Sequence, residues 1–195
     1  MEFALLGRPP NAPRLRLDWR RFSYAGKFVT GDAGKAVAVA DGMHEREGWP
    51  PDAREREAEG VLGAVSFSPH RTDPDTVVLR YVTVRDDRRG EEIGVRLCAF
   101  AAERLLADGY ARVRIDVNNP YAYEALHKAG FGYTGERAGL AELVLERPCD
   151  ARAEHYADGL DTYRERDLSD GEAAFLAARD GPPAVVAAPD GEGER

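Results

Sequence analysis

The sequence predicts a mixed α/β fold (α/β or α+β) in which a central sheet is flanked by helices. Three observations support this fold class. Two valine-rich runs at 61–68 and 75–85 are joined by a short loop with proline and aspartate, and they predict a hairpin. Between 90 and 147, the pattern alternates in the order helix, strand, helix, strand and strand. This order predicts a largely parallel central region with crossover connections.

The two helices of the central region have recognisable starts and ends. Residues 90–110 predict a helix that ends at Gly109, and residues 120–130 predict a helix that begins at Pro120 and ends at Gly130. Five apolar residues recur at helical spacing on one face of the first helix. They are Ile93, Leu97, Phe100, Ala101 and Leu105.

Three further segments of the central region are predicted as strands. Residues 111–119 alternate between apolar and polar side chains and lie between the two helices. Residues 131–136 and 140–147 follow the second helix and predict two more strands. The central region is therefore expected to end at about residue 147.

Residues 1–59 carry weaker signals. The segment 14–19 alternates like an edge strand, and the segment 35–41 alternates like a second strand after a plausible turn. The polar segment 44–60 contains two consecutive prolines and is expected to run over the surface, with a short helix at 52–59. We expect residues 1–147 to form one domain.

A C-terminal extension, residues 148–195, follows this domain. Ser169 and Glu172 have the spacing of a capping box and predict the start of a short helix. Residues 182–195 are expected to form a flexible acidic tail. The extension is expected either to cover an edge strand or to mediate a homodimer.

Composition excludes several classes of protein. Hydrophobic residues make up 43% of the chain and charged residues 32%, which is typical of a globular protein. The net charge of −8 argues against a nucleic-acid-binding protein, because phosphate binding depends on basic side chains. No apolar run is long enough to span a membrane, and the start of the chain lacks the basic residues of a signal peptide. We therefore expect a cytoplasmic location.

The cysteines and histidines give no pattern typical of a metal site. Cys98 and Cys149 are far apart in the sequence, and the four histidines have no paired spacing with each other or with the cysteines. Cys98 lies in an apolar helical run and is expected to be a buried, small hydrophobic residue. We predict no metal.

The most informative motif is the turn from strand to helix at residues 84–97. A helix N-terminus has unpaired amide groups and a partial positive charge, so it binds anions where glycine allows close approach. Gly90 and Gly94 bracket the first helical turn, and Glu91 and Glu92 lie between them. Taken alone, the motif fits a phosphate site or an ordinary connection between a strand and a helix.

Together with residues 118–136, this turn resembles the GNAT superfamily of acetyl-CoA-dependent N-acyltransferases. In that family, an apolar strand end is followed by a turn of the type R/Q-x-x-G-x-G/A that begins a long helix. Here Val82 and Val84 resemble the strand end, and residues 89–94 resemble the turn. A second family segment reads N-x-x-A-x-x-x-Y-x-x-x-G-F. Its matching residues here are Asn119, Ala122, Gly130 and Phe131. The resemblance covers about residues 60–147, and residues 1–59 match only loosely.

The resemblance implies an enzyme that transfers an acetyl group from acetyl-CoA, its co-substrate, to a primary amine by direct attack. It places the thioester carbonyl at the end of strand 75–85, with a main-chain amide near Val84 stabilising the oxyanion. An acidic protein favours a cationic acceptor. The residues implied to bind acetyl-CoA are Val82, Val84, Arg89, Gly90, Glu91, Glu92, Ile93, Gly94 and Asn119.

Two residues depart from the family pattern. Glu92 replaces the central glycine of the turn, where a carboxylate opposes a pyrophosphate. The tyrosine that protonates the leaving thiolate in the family falls on Leu126. Tyr123, one helical turn earlier, is the candidate for this catalytic role, and Tyr121 and His127 are alternatives.

These departures leave two other interpretations open. The chain can be a non-catalytic member that binds acyl-CoA or a protein partner on the same scaffold. It can also be an α/β domain that has lost the cofactor altogether. The sequence does not identify the amine acceptor.

Overall fold

The structure is a computed structural model that describes residues 1–150 and 152–191. The described residues contain seven strands in one sheet and four α-helices. The strands are β1 Glu2–Gly7, β2 Gly34–Val39, β3 Val61–Pro69, β4 Thr76–Val84, β5 Arg112–Val117, β6 Gly132–Ala138 and β7 Glu142–Arg147. The helices are α1 Ile93–Ala107, α2 Pro120–Lys128, α3 Tyr156–Arg164 and α4 Asp170–Ala177.

The sheet is mixed, and its order is β1-β2-β3-β4-β5-β7-β6. The mixed α/β fold class is confirmed, but the prediction of a largely parallel centre is wrong, because β4 and β5 are the one parallel pair among the described strands. The crossover through α1 brings β5 beside β4. The crossover through α2 delivers β6 to the sheet edge, and β7 turns back antiparallel between β5 and β6.

Two apolar cores lie on opposite faces of the sheet. The larger core packs α1, α2 and the C-terminal helices against one face. Cys98 belongs to this core, as predicted, and burial raises the pKa of its thiol to about 12. The second core packs residues 15–28 of the N-terminal region against the other face.

The N-terminal region departs from the sequence predictions at three places. The predicted edge strand at 14–19 is wrong: this segment forms no ladder, because its backbone bonds go to two separate segments, from Leu15 N to Phe28 O and from Ala58 N to Arg16 O. The predicted helix at 52–59 is also wrong and is a single turn followed by irregular backbone. A polar segment with no apolar face gains too little from packing to sustain a short helix.

The third departure is β1, which the sequence interpretation missed. It is a short apolar strand that pairs antiparallel with β2 at the sheet edge. By contrast, the strand predicted at 35–41 is confirmed as β2, and every residue of β2 is buried. The hairpin of β3 and β4 and the helices α1 and α2 are also where they were predicted.

The C-terminal extension packs against the face that carries α1 and α2. The capping box at the start of α4 is confirmed, since Ser169 Oγ accepts from Glu172 N and Glu172 Oε2 accepts from Ser169 N. Beyond α4, residues 182–191 have no helix or strand, and Val186 N donates to Lys128 O at 2.8 Å. The last part of the predicted flexible tail, 192–195, lies outside the described residues.

The contact between Gly159 and Tyr123 gives a test of how the extension packs. A Cβ atom at Gly159 would lie 2.1 Å from the hydroxyl oxygen of Tyr123, a ring that is fully buried. We expect Gly159→Ala to lower the free energy of unfolding by about 2 kcal/mol, because the overpacked ring has little room to move. Urea denaturation followed by circular dichroism measures this loss.

Gly181→Ala is the matched control, because nothing lies within 4 Å of a Cβ atom at Gly181. It should change the free energy of unfolding by less than about 0.5 kcal/mol. Equal stability of the two variants would show that α3 does not pack on Tyr123 as described.

Candidate functional site

An extra residue in β4 determines which backbone groups face the neighbouring strand. Ser66 pairs with Tyr81 while Phe67 pairs with Leu79, so Arg80 forms a β-bulge. Arg80 is exposed, and its Nε donates to Ser68 Oγ at 2.8 Å. The bulge reverses the alternation of the strand, so that Val82 and Val84 pack toward the same core as Val77 and Leu79 do.

Beyond the bulge, β4 is no longer paired with β5. The parallel ladder ends at Val78, which pairs with Arg114. On its other side β4 remains bonded to β3, since Arg85 N donates to Leu62 O at 2.9 Å. Bonded pairs alternate along an antiparallel ladder, so the N–H groups of Val82 and Val84 point away from β3. They face the gap that opens between β4 and β5 beyond Val78. The gap therefore presents two main-chain donors.

The N-terminus of α1 lies at the mouth of this gap. Its first intrahelical bond is donated by Arg96 N to Glu92 O at 3.0 Å, so the amides of Ile93 to Val95 have no acceptor within the helix. Gly94 lies against the end of β4, where an added Cβ would come 3.3 Å from Val84 Cγ2. The lack of a side chain at Gly94 therefore keeps the passage between α1 and β4 open.

The side chains of Glu91 and Glu92 are both held by basic partners. Arg88 makes two bonds of 2.7 Å to the carboxylate of Glu91, and this pairing lowers the pKa of that carboxyl. Glu92 has a left-handed backbone with φ of 57°, and Lys128 Nζ of α2 lies 3.3 Å from its Oε1. Each carboxylate is thus neutralised beside the helix N-terminus.

A cavity of about 600 Å³ joins these features, and three parts of the chain form its walls. The first wall is the end of β4 with the turn and the start of α1. The second is one face of α2, with Tyr121, Glu124, Ala125 and Lys128. The third comes from the C-terminal extension, with Phe175 and Arg179. The walls offer cations and aromatic rings but also the carboxylates of Glu92 and Glu124.

Most residues that the sequence predicted for cofactor binding line this cavity, but three do not. Val82 is partly buried against the larger core, and Glu91 is paired with Arg88. Asn119 caps α2, since its Oδ1 accepts from Ala122 N at 2.8 Å. The predicted residues that line the cavity are Val84, Arg89, Gly90, Glu92, Ile93 and Gly94.

Tyr123, the predicted catalytic residue, is outside the described lining of the cavity. Its ring is fully buried, and its hydroxyl donates to Tyr156 O at 3.1 Å. Burial is the main cause that raises the pKa of this hydroxyl far above its usual value. A buried phenol that already donates to a carbonyl is poorly placed for proton transfer, so this geometry argues against the predicted role.

The alternatives to Tyr123 differ in their surroundings. His127 is buried between Tyr123 and Tyr156, and burial, followed by the charge of Arg152, lowers its pKa to about 3. Leu126 is buried in the core. Tyr121 is 47% exposed and lines the cavity, and its ring lies 4.5 Å from that of Phe175. Of these side chains, Tyr121 alone reaches the cavity.

The N-terminal region borders the opposite side of the gap. Asp86 N donates to Arg21 O at 2.9 Å, and Arg89 donates to Ser23 Oγ at 3.0 Å. Nearby, Tyr24 has a left-handed backbone and its ring lies 5.7 Å from that of Tyr81. These contacts tie residues 18–28 to the turn after β4, a contact that the sequence interpretation did not predict.

A sequence comparison decides the family. The model of the acetyltransferase (GNAT) family matches residues 14–131, which is more than half of the chain. The chain belongs to the GNAT acetyltransferase family. The match includes the gap in the sheet, the turn before α1 and all of α2, but α3 and α4 follow it.

Several solved structures of acetyltransferases are similar to part of this chain at low sequence identity. An N-acetyltransferase from Staphylococcus aureus is 19% identical with a TM-score of 0.42, over 58% of this chain and 66% of that chain. A Bacillus subtilis acetyltransferase in complex with CoA is 15% identical with a TM-score of 0.43, over 58% of this chain and 75% of that chain. A Thermoplasma acidophilum N-acetyltransferase in complex with coenzyme A is 16% identical with a TM-score of 0.41, over 57% of this chain and 58% of that chain. No match was found among curated proteins.

Residues 1–150 and 152–191 contain neither a candidate metal site nor a candidate membrane-spanning helix. No group of three or more histidine, cysteine, aspartate or glutamate side chains in these ranges could hold a metal ion. No helix in them has the length and apolar character needed to cross a bilayer.

The left-handed backbone of Glu92 gives a stability test of the turn. Glycine adopts this conformation without strain, so Glu92→Gly should leave the free energy of unfolding unchanged within about 0.5 kcal/mol or raise it. Glu91 has no positive φ, so Glu91→Gly should lower stability through the added backbone freedom and the lost contact with Arg88. Paired urea denaturation curves compare the variants, and the opposite order would contradict the described turn.

Proposed function

We propose that this protein is an N-acetyltransferase that transfers the acetyl group of acetyl-CoA to a primary amine. One observation carries the proposal: the cavity joins the free amides at the start of α1 to the gap beside Val84. An anion site and a pair of main-chain donors at the ends of one passage suit a ligand that has a pyrophosphate and a thioester. Membership of the GNAT family supports the same activity.

The pyrophosphate of acetyl-CoA fits the N-terminus of α1. The amides of Ile93 to Val95 are available, and Gly90 and Gly94 lack side chains that would obstruct them. Arg88, Arg89 and Lys128 place cationic groups around this end of the cavity. We propose that Lys128 holds the Glu92 carboxylate to one side, so that the departure from the family glycine does not close the site.

In the proposed reaction, the ammonium group of the acceptor first gives one proton to water, and the neutral amine nitrogen then attacks the thioester carbonyl carbon. The bond between carbon and sulfur breaks, CoA leaves as a thiolate, and the nitrogen loses one proton as the amide forms. The carbonyl oxygen gains negative charge in the transition state, and the N–H groups of Val82 and Val84 point into the gap where this charge would develop. Positioning of the two substrates supplies much of the rate.

The leaving thiolate does not require a tyrosine as its acid. A thiol has an ordinary pKa near 8.5, so a thiolate leaves without prior protonation far more readily than an alkoxide would. Tyr121 is the hydroxyl side chain on the described lining of the cavity. We assign no residue as the acid or the base, and water in the open gap is sufficient to take the proton.

The acceptor amine is proposed to approach from the side of residues 18–28. The carboxylates on that side, Asp18, Asp86 and Asp87, are each paired with an arginine, but the whole chain has a net charge of −8. Acidic groups attract a protonated amine over long range, so we propose a cationic acceptor. The cytoplasmic location and the homodimer stay predictions of the sequence.

The second candidate function is a non-catalytic member of the family that binds acyl-CoA or a protein partner. Two observations favour it. Glu92 places a carboxylate at the phosphate end of the cavity, and Leu126 occupies the position of the family tyrosine. A transfer assay separates the two functions.

The first experiment incubates the protein with acetyl-CoA and a panel of polyamines, amino acids, aminoglycosides and lysine peptides. We expect release of free thiol that requires both the protein and an amine, because both substrates meet in the gap. Thiol release is read with a chromogenic disulfide, and acetylated products are identified by mass spectrometry. Binding of CoA by calorimetry without transfer to any amine would favour the non-catalytic function.

A second experiment blocks the passage between α1 and β4. In Gly94→Val, the new side chain must crowd Val84, so the dissociation constant for CoA should rise at least about tenfold. Gly26→Val is the control, since nothing lies within 4 Å of a Cβ atom at Gly26. Unchanged CoA affinity in a folded Gly94→Val protein would place the binding site elsewhere.

A third experiment tests the role of Tyr123. Tyr123→Phe removes the hydroxyl that donates to Tyr156 O, which should cost about 1 kcal/mol of the free energy of unfolding. The rate constant kcat should be unchanged, because the hydroxyl is outside the described lining of the cavity. Tyr110→Phe is a matched control on a partly buried tyrosine. A large fall in kcat without loss of folding would restore Tyr123 as the catalytic acid.

A further inference from the structure

We propose that the C-terminal helix α4 forms the binding surface for the adenine ring of CoA, through the aromatic pair of Tyr121 and Phe175. This inference rests on the proposed function and extends it to a part of the chain that the family match does not include. The match ends at residue 131, and α4 spans Asp170–Ala177. Phe175 would therefore be the contribution of this chain's own extension, whereas Tyr121 lies within the match.

The aromatic pair belongs to the same cavity as the proposed phosphate site. The rings of Tyr121 and Phe175 lie 4.5 Å apart, and both side chains line the cavity. Tyr121 is 47% exposed, so part of its ring remains open to a ligand. The exposed ring of Tyr121, packed beside the half-buried ring of Phe175 in a cavity large enough for a base, suits stacking of a planar base.

The main-chain donors separate a phosphate end from a base end. Arg88, Arg89 and Lys128 at the start of α1 are paired with carboxylates, and Arg179 at the α4 end is paired with Glu124 through bonds of 2.9 Å and 3.1 Å. The start of α1 also has the amides of Ile93 to Val95, which have no acceptor within the helix and suit a phosphate. The aromatic pair at the α4 end suits an uncharged ring.

The α4 surface is held in place by contacts that do not involve a ligand. Arg179 stacks over the ring of Phe175 at 3.6 Å, and its Nη1 donates to Phe175 O at 3.2 Å. Tyr156 of α3 donates its hydroxyl to Glu124 at 3.1 Å. The aromatic pair is thus positioned before binding, which lowers the entropic cost of ordering it.

The experiment measures, by calorimetry, the dissociation constants of CoA and of 4′-phosphopantetheine, which lacks the adenosine, its 3′-phosphate and one phosphate of the pyrophosphate. Phe175→Ala should weaken CoA binding about fivefold or more and leave 4′-phosphopantetheine binding unchanged, because only the base loses its stacking surface. Phe175→Leu and Tyr121→Leu keep apolar bulk and should show the same selectivity to a smaller degree. They also provide folded variants if Phe175→Ala is unstable.

Val185→Ala is the control, since Val185 is an exposed residue of the same extension and is outside the described lining of the cavity. It should bind both ligands as the unchanged protein does. Equal losses for both ligands in the aromatic variants, or no loss for either, would overturn the adenine surface while leaving the proposed function intact. An unchanged protein that binds neither ligand would overturn the proposed function and this inference together.

Discussion

The extra residue at Arg80 determines the direction of every backbone group in the second half of β4. Up to Val78, β4 is paired with both neighbouring strands. From the bulge onward it is paired with β3 but no longer with β5. Unpaired N–H groups inside a protein are costly unless a ligand or water accepts from them. The N–H groups of Val82 and Val84, which face the gap, are therefore available to donate to a ligand. The position of α1 matters because its N-terminus opens onto this same gap.

The turn before α1 shows how an acidic protein can keep a site for an anion. Two glutamates stand where a phosphate would be repelled, yet each carboxylate faces a basic partner, Arg88 for Glu91 and Lys128 for Glu92. Exposed ion pairs of this kind add little stability. Their consequence here is charge compensation, since each carboxylate beside the α1 N-terminus has a basic partner and three cationic residues lie at the cavity wall.

The C-terminal extension is anchored by tyrosines rather than by a strand. Tyr123 donates to Tyr156 O, and Tyr163 donates to Val117 O at 3.0 Å, with all three rings buried. These bonds join α2 and the end of β5 to α3, and α3 in turn supports α4 through Tyr156 and Glu124. The buried Tyr123 thus has a structural role, because its bond to Tyr156 O helps to hold the extension that provides the third wall of the cavity.

The sequence by itself determined the local elements of the central region and the turn that opens α1. Helical spacing, Pro120, Gly130 and the capping box at Ser169 act over a few residues, so these elements lie where the pattern predicted them. Only the tertiary structure decided the antiparallel insertion of β7, the bulge at Arg80 and the meeting of α2 with α4. These depend on contacts between residues far apart in the chain: Tyr121 and Phe175 are 54 positions apart, and Glu124 and Arg179 are 55 positions apart. No local periodicity records such a contact, because its free energy comes from packing and desolvation that exist only after the sheet has formed.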